Sequence, residues 1–160
     1  MTIGILGGGV WGSALAKLFS DQEVLIYTRD KKTMSSINNH HFNPKLKYVI
    51  FNDNVKATDD LEEISKKKLI FIALPSQKIR EVLSQSYFNN INADIIIASK
   101  GIEITSSLFL SQVVENLIKP NSLSILSGPC FSDEVSQDLP TAATFASSNF
   151  QVFEKVSKMI

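Results

Sequence analysis

The chain alternates short, uninterrupted apolar runs with longer stretches whose apolar positions recur at helical spacing. The apolar runs 2–6, 23–28 (EVLIYT), 55–58, 69–73 (LIFIA), 95–98 (IIIA), 123–126 and 142–146 read as strands. Between them, 10–20 reads as a helix with Ala14, Leu15, Leu18 and Phe19 on one face, and 30–39 as a second. Thr58 or Asp59 is the expected cap of an acidic turn over 60–64. Pro75 breaks the fourth strand, and Ser76 is placed to cap a helix through about Tyr87, striped by Ile79, Val82 and Leu83. Thr105 or Ser106 is expected to start a helix that ends before Pro120, and 131–136 a short one. The segment 43–54 shows neither period. Strands that are apolar at every position are covered on both faces and belong in a parallel sheet. The pattern predicts an α/β domain: a doubly wound, mostly parallel sheet with helices on both faces.

The first strand runs directly into Gly7, Gly8, Gly9 and Gly12. Glycine inside a regular element is unfavourable by roughly 0.5–1 kcal/mol against alanine, so this turn needs bare backbone. Gly7, Gly9 and Gly12 fit G-x-G-x-x-G between a strand and a helix. In that arrangement the first glycine allows the tight turn, the second lets a pyrophosphate approach, and the third brings helix and strand together. The helix start adds free N–H groups and positive dipole. Trp11 either packs on the core or covers the cofactor. A site selective for NAD places an acid at the end of the second strand. Here Thr28 holds that position, with Arg29 able to pair a 2′-phosphate and Asp30 able to reach a ribose.

Composition narrows the class of protein. The 160 residues amount to one domain, and 16 basic and 16 acidic side chains cancel, which removes an overall field for nucleic acid or an anionic membrane. Cys130 is the single cysteine, as in a reducing compartment. No apolar run approaches the ~20 residues of a membrane span, and no charged leader precedes the first strand. A soluble, cytoplasmic protein is expected. His40 and His41 lack the Cys or carboxylate spacing of a metal site and read as surface loop. The stretch 149–160 reads as a helix cut off without a cap or stop signal, so the chain is expected to end inside a larger protein.

Further polar residues gather where the later strands end. Lys100 follows IIIAS and precedes Gly101, facing the ligand crevice in such a fold. Ser127, Gly128 and Pro129 lead into a short helix whose first amides could hold an anion.

The set GILGGGVWGSALA, IALPSQKIREVL, SKGIE and LSGPCFSDEVSQDLPTA resembles, in order and spacing, the bacterial NAD(P)-dependent sn-glycerol-3-phosphate dehydrogenases. The likeness spans essentially all 160 residues and matches the amino-terminal, cofactor-binding half of such an enzyme. It implies a Rossmann-type domain over 1–160, followed by a helical substrate domain that carries the catalytic, proton-transferring lysine beyond Ile160. The 160 residues alone are then expected to be inactive. The resemblance implies that Gly7, Gly9, Val10, Trp11, Gly12, Arg29, Lys100 and Ser132 contact NADPH or NADH. It implies that Lys100, Gly128 and Cys130 contact dihydroxyacetone phosphate or sn-glycerol 3-phosphate, in a pathway supplying glycerophospholipid precursors, with a homodimer possible for the full-length enzyme. The family carries Ser or Thr where this chain has Cys130, and its Tyr-Leu-Pro stretch is poorly matched by NPKLKYVIF, so neither Leu46 nor Tyr48 is given a cofactor role. The alternatives are another dehydrogenase of the same superfamily and a non-catalytic nucleotide-sensing domain.

Overall fold

The computed structural model describes residues 2–46 and 49–160; Tyr48 lies outside them. Among the described residues, seven strands form one sheet: β1 (Thr2–Leu6), β2 (Glu23–Tyr27), β3 (Val55–Thr58), β4 (Leu69–Ile72), β5 (Asp94–Ile97), β6 (Ser122–Ser127) and β7 (Thr144–Ser147). Their order is β3-β2-β1-β4-β5-β6-β7, parallel throughout except that β7 runs antiparallel to β6. β1 therefore sits centrally, with Ile3 paired to Val24 of β2 on one side and to Leu69 of β4 on the other. The chain winds outward from β1 in both directions, and the reversal opens a crevice above the carboxyl ends of β1 and β4.

Among the described residues, seven α-helices cover the sheet: α1 (Val10–Leu18), α2 (Lys31–His40), α3 (Leu61–Ser65), α4 (Ile79–Leu83), α5 (Leu110–Leu117), α6 (Ser132–Ser136) and α7 (Phe150–Ser157). The uninterrupted apolar strands feed two cores. Ile3, Ile5, Phe71 and Ile96 pack with Leu15, Ile37, Val135 and Val156, drawn from α1, α2, α6 and α7. Ile70, Ile72, Ile95 and Ile97 turn the other way onto Ile64, Val82 and Val113, from α3, α4 and α5. Successive side chains of β4 thus enter opposite layers, which is why no polar residue interrupts it. Phe19 and Phe71 meet with ring centroids 4.7 Å apart, both fully buried. Each such side chain contributes about 1.5–3 kcal/mol by leaving water.

The structure moves several expected boundaries. The helix after Pro75 begins as a 3-10 turn (Ser76–Lys78) and its α portion ends at Leu83, with a second 3-10 turn at Ser86–Phe88. Ser76 does not cap it; its hydroxyl accepts from the Gln77 side-chain amide instead. The cap of α3 is Asp60, whose carboxylate accepts from Glu62 N at 2.7 Å, while the Thr58 hydroxyl accepts from Asp60 N. Thr105 and Ser106 start no helix: α5 begins at Leu110, and 102–109 folds back on itself, with Glu103 N donating to Leu108 O. That loop is held from α4 and the 3-10 turn before it. Arg80 makes a two-pronged bond to the buried Glu103 at 2.8 and 2.7 Å, and Gln77 bonds Ile102 O and Ile104 N.

Candidate functional site

The crevice is a cleft of about 650 Å3 lined by the ends of five strands. Its floor is the glycine turn, and the glycines there differ in what they avoid. Gly7 has φ +127°, and a Cβ on it would lie 2.5 Å from Ala73 O. A Cβ on Gly8 would meet Thr28 at 2.6 Å, and one on Gly12 would lie 1.9 Å from Gly7 O. These three are glycine because the fold leaves no room. Gly9 is different: a Cβ there would meet nothing within 4 Å, and φ −81° suits any residue. Space is left open at that point, beside the start of α1, whose N-terminal amides receive no side-chain cap. A pyrophosphate lying on bare backbone fits this cradle.

Trp11 packs on the core, as one of the two expectations had it, and also borders the cleft. Its Nε1 donates to Ala98 O at 2.9 Å. This bond ties the start of α1 to the end of β5.

At the end of β2, Thr28 is buried and its hydroxyl accepts from Asp30 N. Asp30 caps α2: its carboxylate accepts from Lys32 N, Thr33 N and the Thr33 hydroxyl, and Lys45 lies 3.0 Å away. Hydrogen bonding by Lys45, then by Thr33, holds this carboxyl far below the usual range. Asp30 also lines the cleft, with each carboxylate oxygen already accepting from two donors of the fold. Arg29 lines the cleft, exposed, 3.4 Å from Glu81, which Lys78 also holds at 2.7 Å. Hydrogen bonding from Lys78, with Arg29 adding a weaker pull, lowers the Glu81 carboxyl below its ordinary value.

The irregular segment 43–46 supplies two residues that the sequence pattern did not single out. Asn43 is wholly buried; its amide donates to Gly8 O at 3.1 Å and to the Ser13 hydroxyl at 2.6 Å, and its Oδ1 accepts from Lys45 N. Asn43 thereby braces the glycine turn, and Lys45 joins the cleft wall. A short Asx turn, N-P-K, was the available signal.

On the far side, the Ser99 hydroxyl lies 2.6 Å from Leu74 O, locking the ends of β4 and β5 together. Lys100 is exposed and makes no hydrogen bond or ion pair among the described residues. It lines both the main cleft and an adjoining cavity of about 500 Å3 that also holds Gly101, Ser127 and Gly128. Cys130 and Ser132 border the main cleft, with Cys130 Sγ 3.0 Å from Ala142 O. The cleft thus gathers Gly7, Gly9, Val10, Trp11, Arg29, Lys100, Cys130 and Ser132. It does not include Gly12, which sits behind the turn, or Gly128, whose φ of +150° and closeness to Ala142 O already require glycine. The helix start after Gly128 is also less suited to an anion than expected, because α6 is five residues long with Asp133 and Glu134 in its first turn.

Comparison with known proteins gives a consistent picture. Residues 2–153 match the family described as NAD-dependent glycerol-3-phosphate dehydrogenase N-terminus. A glycerol-3-phosphate dehydrogenase [NAD(P)+] of Neorickettsia sennetsu is 37% identical over 161 residues, 98% of this chain and 48% of the relative. One of Zymomonas mobilis is 38% identical over 146 residues, covering 90% of this chain and 42% of the relative. The crystal structure of the Coxiella burnetii glycerol-3-phosphate dehydrogenase superposes with a TM-score of 0.89 at 28% identity, over 99% of this chain and 50% of that one. A GDP-mannose dehydrogenase of Pseudomonas aeruginosa, at 14% identity and a TM-score of 0.71, shares the fold alone. The chain spans about half the length of the curated relatives it matches.

Proposed function

Because the chain belongs to the NAD-dependent glycerol-3-phosphate dehydrogenase family, matching its amino-terminal part, we propose that it is the cofactor-holding portion of an enzyme interconverting dihydroxyacetone phosphate and sn-glycerol 3-phosphate with NADH or NADPH. Gly9 carries this reading: its bare backbone borders open cleft where no atom of the protein requires a glycine. The nicotinamide, when bound, supplies the hydride that passes to the C2 carbonyl carbon of the ketone.

The chain's own contribution is to bind and orient. The glycine turn and the uncapped start of α1 hold the pyrophosphate, with Val10 and Trp11 against it, and Arg29 takes the adenosine end. Ser132 borders the nicotinamide side. Lys100, shared by the two cavities, stands between cofactor and substrate, where an ammonium attracts the substrate phosphate and polarises its carbonyl. Gly128 and Cys130 complete the substrate wall on the same reading. The proton that reaches the C2 oxygen is assigned to a lysine of the family's second, helical domain. Positioning of this kind supplies much of the barrier reduction in a two-substrate reaction.

We place the enzyme in the cytoplasm, as a homodimer feeding glycerophospholipid synthesis; the single Cys130 supports the location. Among the described residues no helix is long and apolar enough to cross a membrane. The test is oxidation of NADPH or NADH by the full-length enzyme, with dihydroxyacetone phosphate against 3-carbon ketones lacking the phosphate. Turnover that depends on the phosphorylated ketone is the expected result. Equal rates with the unphosphorylated ketones would overturn the substrate assignment.

A further inference from the structure

We propose that Lys45 determines cofactor specificity: together with Arg29 it binds the 2′-phosphate of NADPH, so that the cleft prefers NADPH to NADH. This rests on the reading of the cleft as a dinucleotide site.

The acid just past β2, Asp30, lines the cleft but already has both carboxylate oxygens engaged. Thr28 stands where an acid would hold the 2′-hydroxyl, and its own hydroxyl already accepts from Asp30 N. The Asp30 carboxylate is filled on one oxygen by Lys32 N and Thr33 N, and on the other by the Thr33 hydroxyl and Lys45. A diol could gain Asp30 only by dismantling the cap of α2, and a helix cap contributes about 1 kcal/mol.

The same region holds a surplus of positive charge. Arg29 and Lys78 converge on Glu81, and Lys45 faces Asp30, so three cations meet two carboxylates. Arg29 and Lys45 both line the cleft. The side chain of Lys45 is 47% exposed and uses Nζ on Asp30 alone among the described residues, which leaves donors of its three-proton ammonium free. It can therefore take a phosphate oxygen without releasing Asp30. Its backbone is also anchored. Lys45 N donates to Asn43 Oδ1 at 2.9 Å, and Asn43 is bonded to Gly8 O, so the backbone that carries the cation is registered against the glycine turn, while Asp30 holds the ammonium. A dianionic phosphate at the ribose gains from this arrangement, whereas a neutral hydroxyl does not.

The experiment is calorimetric titration of the intact enzyme and its Lys45→Met and Lys45→Arg variants with NADPH and with NADH, at two salt concentrations. Lys45→Met is expected to weaken NADPH by at least about tenfold, the scale of a lost charge-assisted hydrogen bond, and NADH by less than about threefold. The salt dependence of NADPH binding should shrink in the same variant, and Lys45→Arg should restore most of the affinity. Equal losses for both cofactors would overturn the proposal and leave Lys45 as a support for the α2 cap. Unchanged NADPH affinity would overturn it as well. Failure of the wild-type enzyme to bind either cofactor would instead sink the dinucleotide reading, and this inference with it.

Discussion

The buried side-chain amide of Asn43 donates to the carbonyl of Gly8 at 3.1 Å, joining two segments 35 positions apart. The bond makes the conformation of the glycine turn depend on a segment with no regular structure. Its other hydrogen goes to the Ser13 hydroxyl in the first helix, so both amide donors are used.

Replacing this residue by a shape-matched apolar one, Asn43→Leu, leaves a buried carbonyl and hydroxyl without their donor. The expected loss of stability is about 1–3 kcal/mol. Weaker cofactor binding should accompany it, because Gly8 is no longer held. Thermal melting read beside calorimetric titration checks both, and an unchanged melting temperature would contradict the bracing role.

Two glycines of the same turn should answer substitution in opposite ways. Gly12→Ala places a Cβ 1.9 Å from Gly7 O and should impair folding itself. Gly9→Val meets no protein atom at its Cβ and should fold with a normal melting temperature, yet lose dinucleotide binding because its side chain fills the pyrophosphate's place. Retained affinity in the Gly9 variant would remove the central argument for the site.

These contrasts mark what could be read from the sequence. The central strands β1, β4 and β5 were legible because a strand covered on both faces must be apolar along nearly all its length. The glycine turn was legible because its spacing is local. The start of the fifth helix was not: Thr105 and Ser106 look like caps, but Ser106 bonds Glu103, and Glu103 is claimed by Arg80, 23 positions away. Asn43 and Lys45 were missed for the same reason, since their distant partners lie in the glycine turn, in α1 and at the cap of α2. The local bonds of the Asp30 cap were legible, but its saturation was hidden because the last cation, Lys45, comes from a distant, irregular segment.

Arg29 offers a measurement of the adenosine end independent of Lys45. Its pair with Glu81 is exposed on both sides and long at 3.4 Å, so Arg29→Ala should leave stability nearly unchanged. NADPH binding should weaken by roughly 1.5–3 kcal/mol and NADH binding much less. Equal losses would mean that Arg29 stacks on the adenine or merely orders its loop.

Lys100 separates a working dehydrogenase site from a surface lysine. In the full-length enzyme, Lys100→Ala should lower kcat/KM for dihydroxyacetone phosphate by at least tenfold, about 1.4 kcal/mol of transition-state binding. The melting temperature should barely move, since the side chain is exposed and unpaired among the described residues. Near-wild-type kinetics would return Lys100 to the surface.

The Arg80–Glu103 pair predicts an acid limb. Hydrogen bonding from Arg80, then from Ser106, pulls the Glu103 carboxyl from its usual 4.5 down to about 2. A carboxyl depressed on folding stabilises above its unfolded value, and that stabilisation fades as pH falls towards the folded one. The contribution of Glu103 should therefore be complete at neutral pH and disappear between about pH 4.5 and 2. Glu103→Gln should flatten the pH dependence of unfolding in that window, as followed by denaturant titration, and an acid limb identical to wild type would refute the assignment.

Trp11 is the chain's single tryptophan, and its indole lines the cleft while bonded to Ala98 O. The protein consequently carries its own optical probe in the wall of the crevice. Indole emits where reduced nicotinamide absorbs, so a bound reduced dinucleotide within reach would quench Trp11 by energy transfer, while the oxidised form, lacking that absorption band, would leave this channel dark. The hydrogen bond that joins the first helix to the fifth strand also fixes the orientation of the emitter, which turns a bracing contact into a reporter of the redox state of whatever lies beside it.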